Sequence, residues 1–464
     1  MSAQTMFDKV WNAHVVEELS DGTTVLHIDR HLLHELTAVE AIRVLERRGL
    51  GVRDAALTFA TPDHVISSVP GRRAGDQPWA TEMVEAFREQ THRLKIERFD
   101  LDDARQGIVH VIAPEQGLTL PGTTLVCGDS HTCTHGAFGA MGWGIGLSEQ
   151  VQVLASQTLR QRKPARMRVT LRGTPARRAT AKDVILHVIG KLGVAGAVGH
   201  ALEFAGDAVR SFDMEARMTL CNLAIEMGAR LGMIAPDDVT FDYLRGRPFA
   251  PQGDAFDTAV AAWRQLATDA DAIFDKDVDV DIEGIDAQIT WGTTPEQVVC
   301  IDGYVPDPAA EPNPQRRAQS EAALGYMRLK PLQRMEGTRI DRVFIGSCAN
   351  SRISDLRAAA QVVRGARVAK HVNAWVVPGS LPVREQAERE GLDQIFRDAG
   401  FEWREPGCSM CVGANGDLGA SGERCVSTSN RNFVGRQGPG VMTHLANPAT
   451  AAASALAGEI QGAA

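Results

Sequence analysis

Apolar and polar positions alternate along this chain in two distinct rhythms. Helical spacing of Phe7, Val10, Trp11 and Val15 predicts an opening helix over residues 6–18. Short apolar runs at 24–28, 57–60, 108–112 and 123–126 predict strands, the third enclosing His110. Thr37 is placed to cap a helix over 38–48 that stops at Gly49. Between the first two strands lies a polar cluster, Asp29-Arg30-His31-Leu32-Leu33-His34-Glu35, which reads equally as a surface loop or as part of a site. The glycine-rich stretch 136–146 lacks the Gly-Lys-Ser/Thr of a phosphate loop and the setting of a dinucleotide fingerprint, so it reads as tight backbone packing. Further on, 181–192 has one apolar helical face, and 218–229 reads as a buried helix with Asn222 and Glu226 four apart on one side. Closely spaced prolines over 306–314 make the clearest linker. Beyond it, strands are predicted at 342–345, 374–377 and 401–404, with helices at 354–364 and 383–399.

The recurring unit is a strand, polar residues at its carboxyl end, then a helix. Open parallel α/β sheets bind ligands at that edge. Asp63-His64 and Asp129-Ser130-His131 both follow strands, which places acid–base side chains where such sheets do chemistry. At 464 residues the chain has the size of about three domains, and the divisions fall at 1–165, 166–310 and 311–464. The third domain holds the thiols. Cys408 and Cys411 form a Cys-x-x-Cys pair, and Cys348 lies well upstream but also just past a predicted strand. Three thiolates in glycine-flanked turns suit a [4Fe–4S] cluster with one open iron; a structural zinc or a redox pair also fits these cysteines taken alone. Glu226 and Asn222 serve either a structural hydrogen-bond network or the support of a site. The loop 427–436 carries Asn430, Arg431 and Arg436, and arginine forks bind carboxylates, so a small diacid is the expected ligand.

Composition narrows the class. Hydrophobic residues are 44% and charged residues 23%, the balance of an ordinary globular protein, while a net charge of −9 argues against non-specific nucleic-acid binding. No apolar run is long enough to span a bilayer, so no membrane role is expected, and the first residues lack a secretory core. Eight scattered cysteines then read as free thiols or metal ligands in a reducing cytoplasm.

Taken together, Gly-Asp-Ser-His at 128–131, Gly-Ser-Cys-Ala-Asn-Ser at 346–351, Pro-Gly-Cys-Ser-Met-Cys at 406–411 and Ser-Asn-Arg-Asn-Phe at 429–433 resemble the aconitase superfamily. Within it, the chain looks most like the large subunits of leucine-pathway dehydratases, and the likeness runs over nearly its whole length. The resemblance implies three doubly wound α/β domains around a central iron–sulfur site, with one cluster per subunit on Cys348, Cys408 and Cys411. It implies that Asp63 orients His64 as the acid, that Asp129 pairs with His110 and Glu226 with His131, and that Ser130, Asn222, Asn430, Arg431 and Arg436 contact substrate. Single-chain aconitases continue into a swivelling domain, whereas this chain ends at Ala464. The resemblance therefore implies a separate small subunit and a hetero-oligomer. Val65, Cys133, Ala349, Leu381 and Gly413 depart from the pattern of the leucine-pathway enzymes. They leave methylmalate/citraconate or homoaconitate as alternative substrates, and a cluster-based iron or oxygen sensor as an alternative role.

Overall fold

The computed structural model describes residues 3–463. The chain is α/β with parallel sheets and divides into two compact units: Met1–Val65, Pro78–Gly173 and Ala195–Asp281 in one, and Ile66–Gln77, Thr174–Val194 and Ile282–Ala464 in the other.

The first unit is built around a five-stranded parallel sheet. Its spatial order is Glu97–Arg98, Thr58–Ala60, Arg30–Leu33, Thr124–Cys127, Met141–Gly144. The first strand in sequence is thus central, and the order reverses on either side of it, the doubly wound arrangement. Adjacent residues of one strand face opposite ways. Leu33 packs with Ala38, Ile42, Phe87 and Leu154 on one face, whereas Leu32 packs with Phe59, Val109, Ile112 and Leu125 on the other. The unit also contains a four-stranded parallel sheet ordered Leu231–Met233, His200–Ala205, Ala165–Arg172, Lys276–Asp281.

The second unit repeats the doubly wound order with different residues: Glu402–Trp403, Asn373–Val376, Arg342–Ile345, Arg424–Ser427, Met442–Leu445, all parallel. Val343 and Ile345 face a large core with Leu356, Val376 and Met442, while Phe344 turns to a smaller one with Val377, Met410 and Cys411.

Several elements differ from the sequence reading. The opening helix is Met6–Ala13, and Val15–Glu18 is a strand. The His14 ring bonds the Val10 carbonyl at 2.7 Å and closes the helix, after which two β-branched residues favour extension. The polar cluster is not a loop: Arg30–Leu33 is the central strand, with His31 fully buried. The following helix starts at Glu35 rather than 38, so Thr37 is not its cap. The run around His110 is a helix, Val109–Gln116, not a strand. A short buried apolar run does not reveal its own period. Here the decision comes from Asp63, whose carboxylate accepts the Val109 N–H at 2.9 Å and so caps the helix from outside. The predicted helix 218–229 is Met214–Asn222 followed by a 3-10 turn, Leu223–Met227, which carries Glu226. The glycine-rich stretch packs as tightly as expected: a Cβ at Gly136 would sit 1.6 Å from the Gly232 carbonyl oxygen. It also holds the edge strand Met141–Gly144, hidden in the sequence because glycine carries no strand signal.

Candidate active site

In the first unit the polar side chains gather beyond the carboxyl ends of the three central strands. Glu35 follows Arg30–Leu33, and its buried carboxylate accepts the backbone N–H groups of Asp63 at 2.9 Å, His64 at 2.7 Å and Val65. Three N–H donors on one carboxylate lock the turn that follows Thr58–Ala60. Burial, and then the nearby Asp63 charge, raise the Glu35 pKa above its ordinary value. Asp63 holds the His64 ring through Nδ1, and His34 stacks on that ring at 4.1 Å between centroids. Burial, reinforced by the His64 charge, pushes His34 down to about 4, so it is neutral at pH 7. His64 is therefore held at Nδ1 by Asp63 and walled on one face by a neutral imidazole.

Asp129 is the hub. It follows Thr124–Cys127 and caps the 3-10 helix Ser130–Phe138 through the His131 N–H at 2.6 Å. Its carboxylate lies 3.0 Å from His110 Nε2, 3.3 Å from His64 Nε2 and 3.5 Å from His131 Nδ1. Burial alone would raise its pKa, but hydrogen bonds from His110, His131 and His64 outweigh it and hold the carboxyl well below the usual range. His131 reaches Glu226 Oε1 through Nε2 at 3.1 Å. His110 continues through Nδ1 to His135 at 3.1 Å, and His135 to the Thr119 hydroxyl at 2.7 Å. Asn222 donates to the Thr134 hydroxyl at 2.8 Å. Ser130, Asp129, Ile145, Ile225 and Arg230 line a cavity of about 260 Å³. The three pairings Asp63–His64, Asp129–His110 and Glu226–His131 are all present as contacts. Glu35, His34 and His135 were not assigned from sequence. The first two lay in plain view in the polar cluster, but nothing in the spacing tied them to residues thirty positions away.

In the second unit the thiols occupy the matching edge. Cys348 follows Arg342–Ile345, and past Glu402–Trp403 Cys408 precedes a 3-10 turn, Ser409–Cys411, that Cys411 ends. All three are buried, and none is in a disulfide. Asn430 joins two of them: its amide N–H donates to Cys348 Sγ at 3.2 Å, and the Cys411 thiol donates to its Oδ1 at 3.0 Å. Ser347 and Ser409, each adjacent to a cysteine, have φ of +92° and +46°. Non-glycine residues in that region cost of order 1–3 kcal/mol and concentrate at functional sites. Ser409 is held there by its hydroxyl, which donates to Asp417 at 2.7 Å, where Ser68 and Asn415 also donate. Arg431 is half-buried, and its carbonyl accepts the Ser429 hydroxyl at 3.4 Å. Arg436, also half-buried, lies over the exposed Phe433 ring at 5.5 Å.

These residues fit a cluster better than one zinc ion. Among the described residues, the only set of three or more metal-type ligands converging within 4.8 Å is His34, Glu35, Asp63 and His64; the three thiols do not converge so closely. One zinc ion at about 2.3 Å from each sulfur demands that convergence. A cuboidal cluster, with each thiolate on its own iron, does not.

Acid–base groups and buried thiols gathered beyond the carboxyl ends of parallel sheets define an α/β enzyme. The chain belongs to the aconitase family of hydro-lyases: the model described as "Aconitase family (aconitate hydratase)" matches residues 8–458. It is 56% identical over 457 residues to 3-isopropylmalate dehydratase large subunit 1 of Bradyrhizobium diazoefficiens, covering 98% of this chain and 96% of that protein. Among solved structures, holo aconitase X of Thermococcus kodakaraensis matches with a TM-score of 0.47 at 12% identity, over 88% of this chain and 84% of that one.

Proposed function

We propose that this chain is the large, catalytic subunit of a 3-isopropylmalate dehydratase, interconverting 2- and 3-isopropylmalate through isopropylmaleate in leucine biosynthesis. The observation that carries this reading is 56% identity, over almost the full length of both chains, to a protein of that name. Cys348, Cys408 and Cys411 would hold one [4Fe–4S] cluster, which supplies an open iron as Lewis acid for the substrate hydroxyl and carboxylate. The buried thiols, the Asn430 bridge and the left-handed serines support that assignment. None of the eight cysteines is in a disulfide, which suits a reducing cytoplasm. Among the described residues no helix is long and apolar enough to cross a membrane. In the same reading the chain is organised as three α/β domains, 1–165, 166–310 and 311–464.

The chain's own residues then divide the work. Asp63 fixes His64 Nδ1, leaving Nε2 to carry the proton that converts the departing hydroxyl to water. Asp129 stays ionised at neutral pH and orients His64, His110 and His131 at once. Glu226 sets the orientation of His131. Ser130, Asn222, Asn430, Arg431 and Arg436 hold the diacid. The base that removes the carbon-bound proton belongs to a separate small subunit, consistent with the words "large subunit" in the relative's name.

The test is anaerobic reconstitution with and without a candidate small subunit, followed by a screen of 2-hydroxy diacids. Turnover of 3-isopropylmalate only when both chains and the cluster are present is the expected result. Preference for another diacid would reassign the substrate, and turnover by this chain alone would remove the need for a partner. Air should stop the reaction by releasing the open iron, and ferrous iron with thiol should restore it.

A further inference from the structure

Lys182 lies at the start of helix Ala181–Leu192, and its side chain is completely withdrawn from solvent. Its ammonium donates to two main-chain carbonyls, those of Thr428 at 3.0 Å and Ser429 at 2.6 Å. Among the described residues no carboxylate pairs with it. The two acids that influence it through space are otherwise engaged. Asp183 accepts from the Thr180 and Gln288 N–H groups and the Asn447 amide, and Asp355 accepts from the Asn350 amide and the Arg352 N–H. A buried ammonium with only carbonyl partners is costly, because the desolvated charge lacks a counter-charge. After burial, which pushes Lys182 down to about 8, the groups acting on its charge are Cys411, Asp355, Cys348 and Asp183, in that order. Two of the four are thiols of the candidate cluster site. The loop that receives the ammonium also runs directly into Asn430, the residue that bridges those same two sulfurs.

We infer that Lys182 is the built-in counter-charge of the thiolate cluster, a positioning residue whose ammonium offsets the negative charge that three thiolates bring and holds the Thr428–Asn430 loop against two of them. The inference rests on the cluster reading above. It explains why a lysine, which has a long flexible stem and a strongly hydrated head, is buried here at all. It also gives the charge a direction of effect: a fixed positive group beside the cluster favours its reduced form and opposes oxidative loss of iron.

The decisive experiment is a cycle on the full chain. Wild type and Lys182→Met are each prepared without a cluster and with one reconstituted anaerobically, iron and sulfide being quantified. Thermal unfolding is measured for all four, and the reduction midpoint for the loaded pair together with Lys182→Arg. The expected result is asymmetric. Lys182→Met leaves the cluster-free chain as stable as wild type or more so, destabilises the loaded chain, and moves the midpoint to a more negative potential, while Lys182→Arg stays with wild type. A lysine that only ties down the loop predicts equal losses with and without the cluster and an unchanged midpoint, and that pattern overturns the inference. A Lys182→Met chain that fails to fold without the cluster overturns it as well. Failure of the wild-type chain to take up iron and sulfide would instead sink the cluster reading itself, and the metal analysis separates the two failures.

Discussion

Two five-stranded parallel sheets in this chain share one strand order, with the first strand central and reversal on either side. Each presents side chains just past the carboxyl ends of its strands. In the first unit these are carboxylates and imidazoles that satisfy one another: Asp129 alone is shared by His64, His110 and His131. In the second they are buried thiols, two of them joined by the Asn430 amide, whose loop also receives a buried ammonium on its carbonyls. The topology supplies the same kind of edge twice, and the residue types decide what each edge does. The first network is compensated within itself, carboxylate against imidazole. The second set, buried thiols beside left-handed serines, is the one for which a cluster is proposed.

The largest expected effect breaks the second site. Cys348→Ser, Cys408→Ser or Cys411→Ser should each abolish cluster uptake, measured as iron and sulfide per chain. Each should also lower activity roughly a thousandfold or more, since a Lewis acid contributes several kcal/mol to a barrier. Cys127→Ser, Cys133→Ser, Cys221→Ser, Cys300→Ser and Cys425→Ser should keep the cluster.

Next comes the hub of the first site. Asp129→Asn should retain the cluster yet reduce turnover by roughly a hundred- to ten-thousandfold, the range for a misplaced acid–base group. Its effect on stability has a sign that can be worked out. The folded carboxyl titrates below its unfolded value, so its ionised form contributes stability above about pH 4, lost as pH falls through the lowered value. Acid denaturation of the cluster-free chain should therefore be steeper below that pH for wild type than for Asp129→Asn.

A smaller effect belongs to Glu35, whose hydrogen bonds to this turn run to its backbone N–H groups. Glu35→Gln replaces an acceptor of three N–H groups with a group that accepts through one oxygen. It should cost about 1–3 kcal/mol in denaturant unfolding for the donor left unpaired. No change in metal content is expected. The smallest effect is at Ser409. Ser409→Ala loses the Asp417 hydrogen bond while keeping the left-handed backbone, and should cost about 1 kcal/mol. Ser409→Gly loses the same bond but is at ease at φ +46° and should fall between Ala and wild type. Equal losses for the two would show that the backbone there is not strained.

The sequence by itself carried the motifs on which the proposed chemistry rests. Cysteine spacing, the Asp-His dipeptide past a strand and the arginine-bearing loop are local facts, and a strand followed by polar residues is a pattern of consecutive positions. Helix 181–192 was legible for the same reason, since its apolar face recurs within a single element. What tertiary structure alone decided are the identities set by distant partners. The run containing His110 is a helix because Asp63 caps it from forty-six residues away. Arg30–Leu33 is the central strand because flanking strands bury it on both sides, which its polar residues conceal. Glu35 and Lys182 acquire their meaning from the N–H groups and carbonyls they meet across the fold. Periodicity reports the neighbours a residue has along the chain, whereas burial, capping and charge compensation depend on neighbours that exist only after folding.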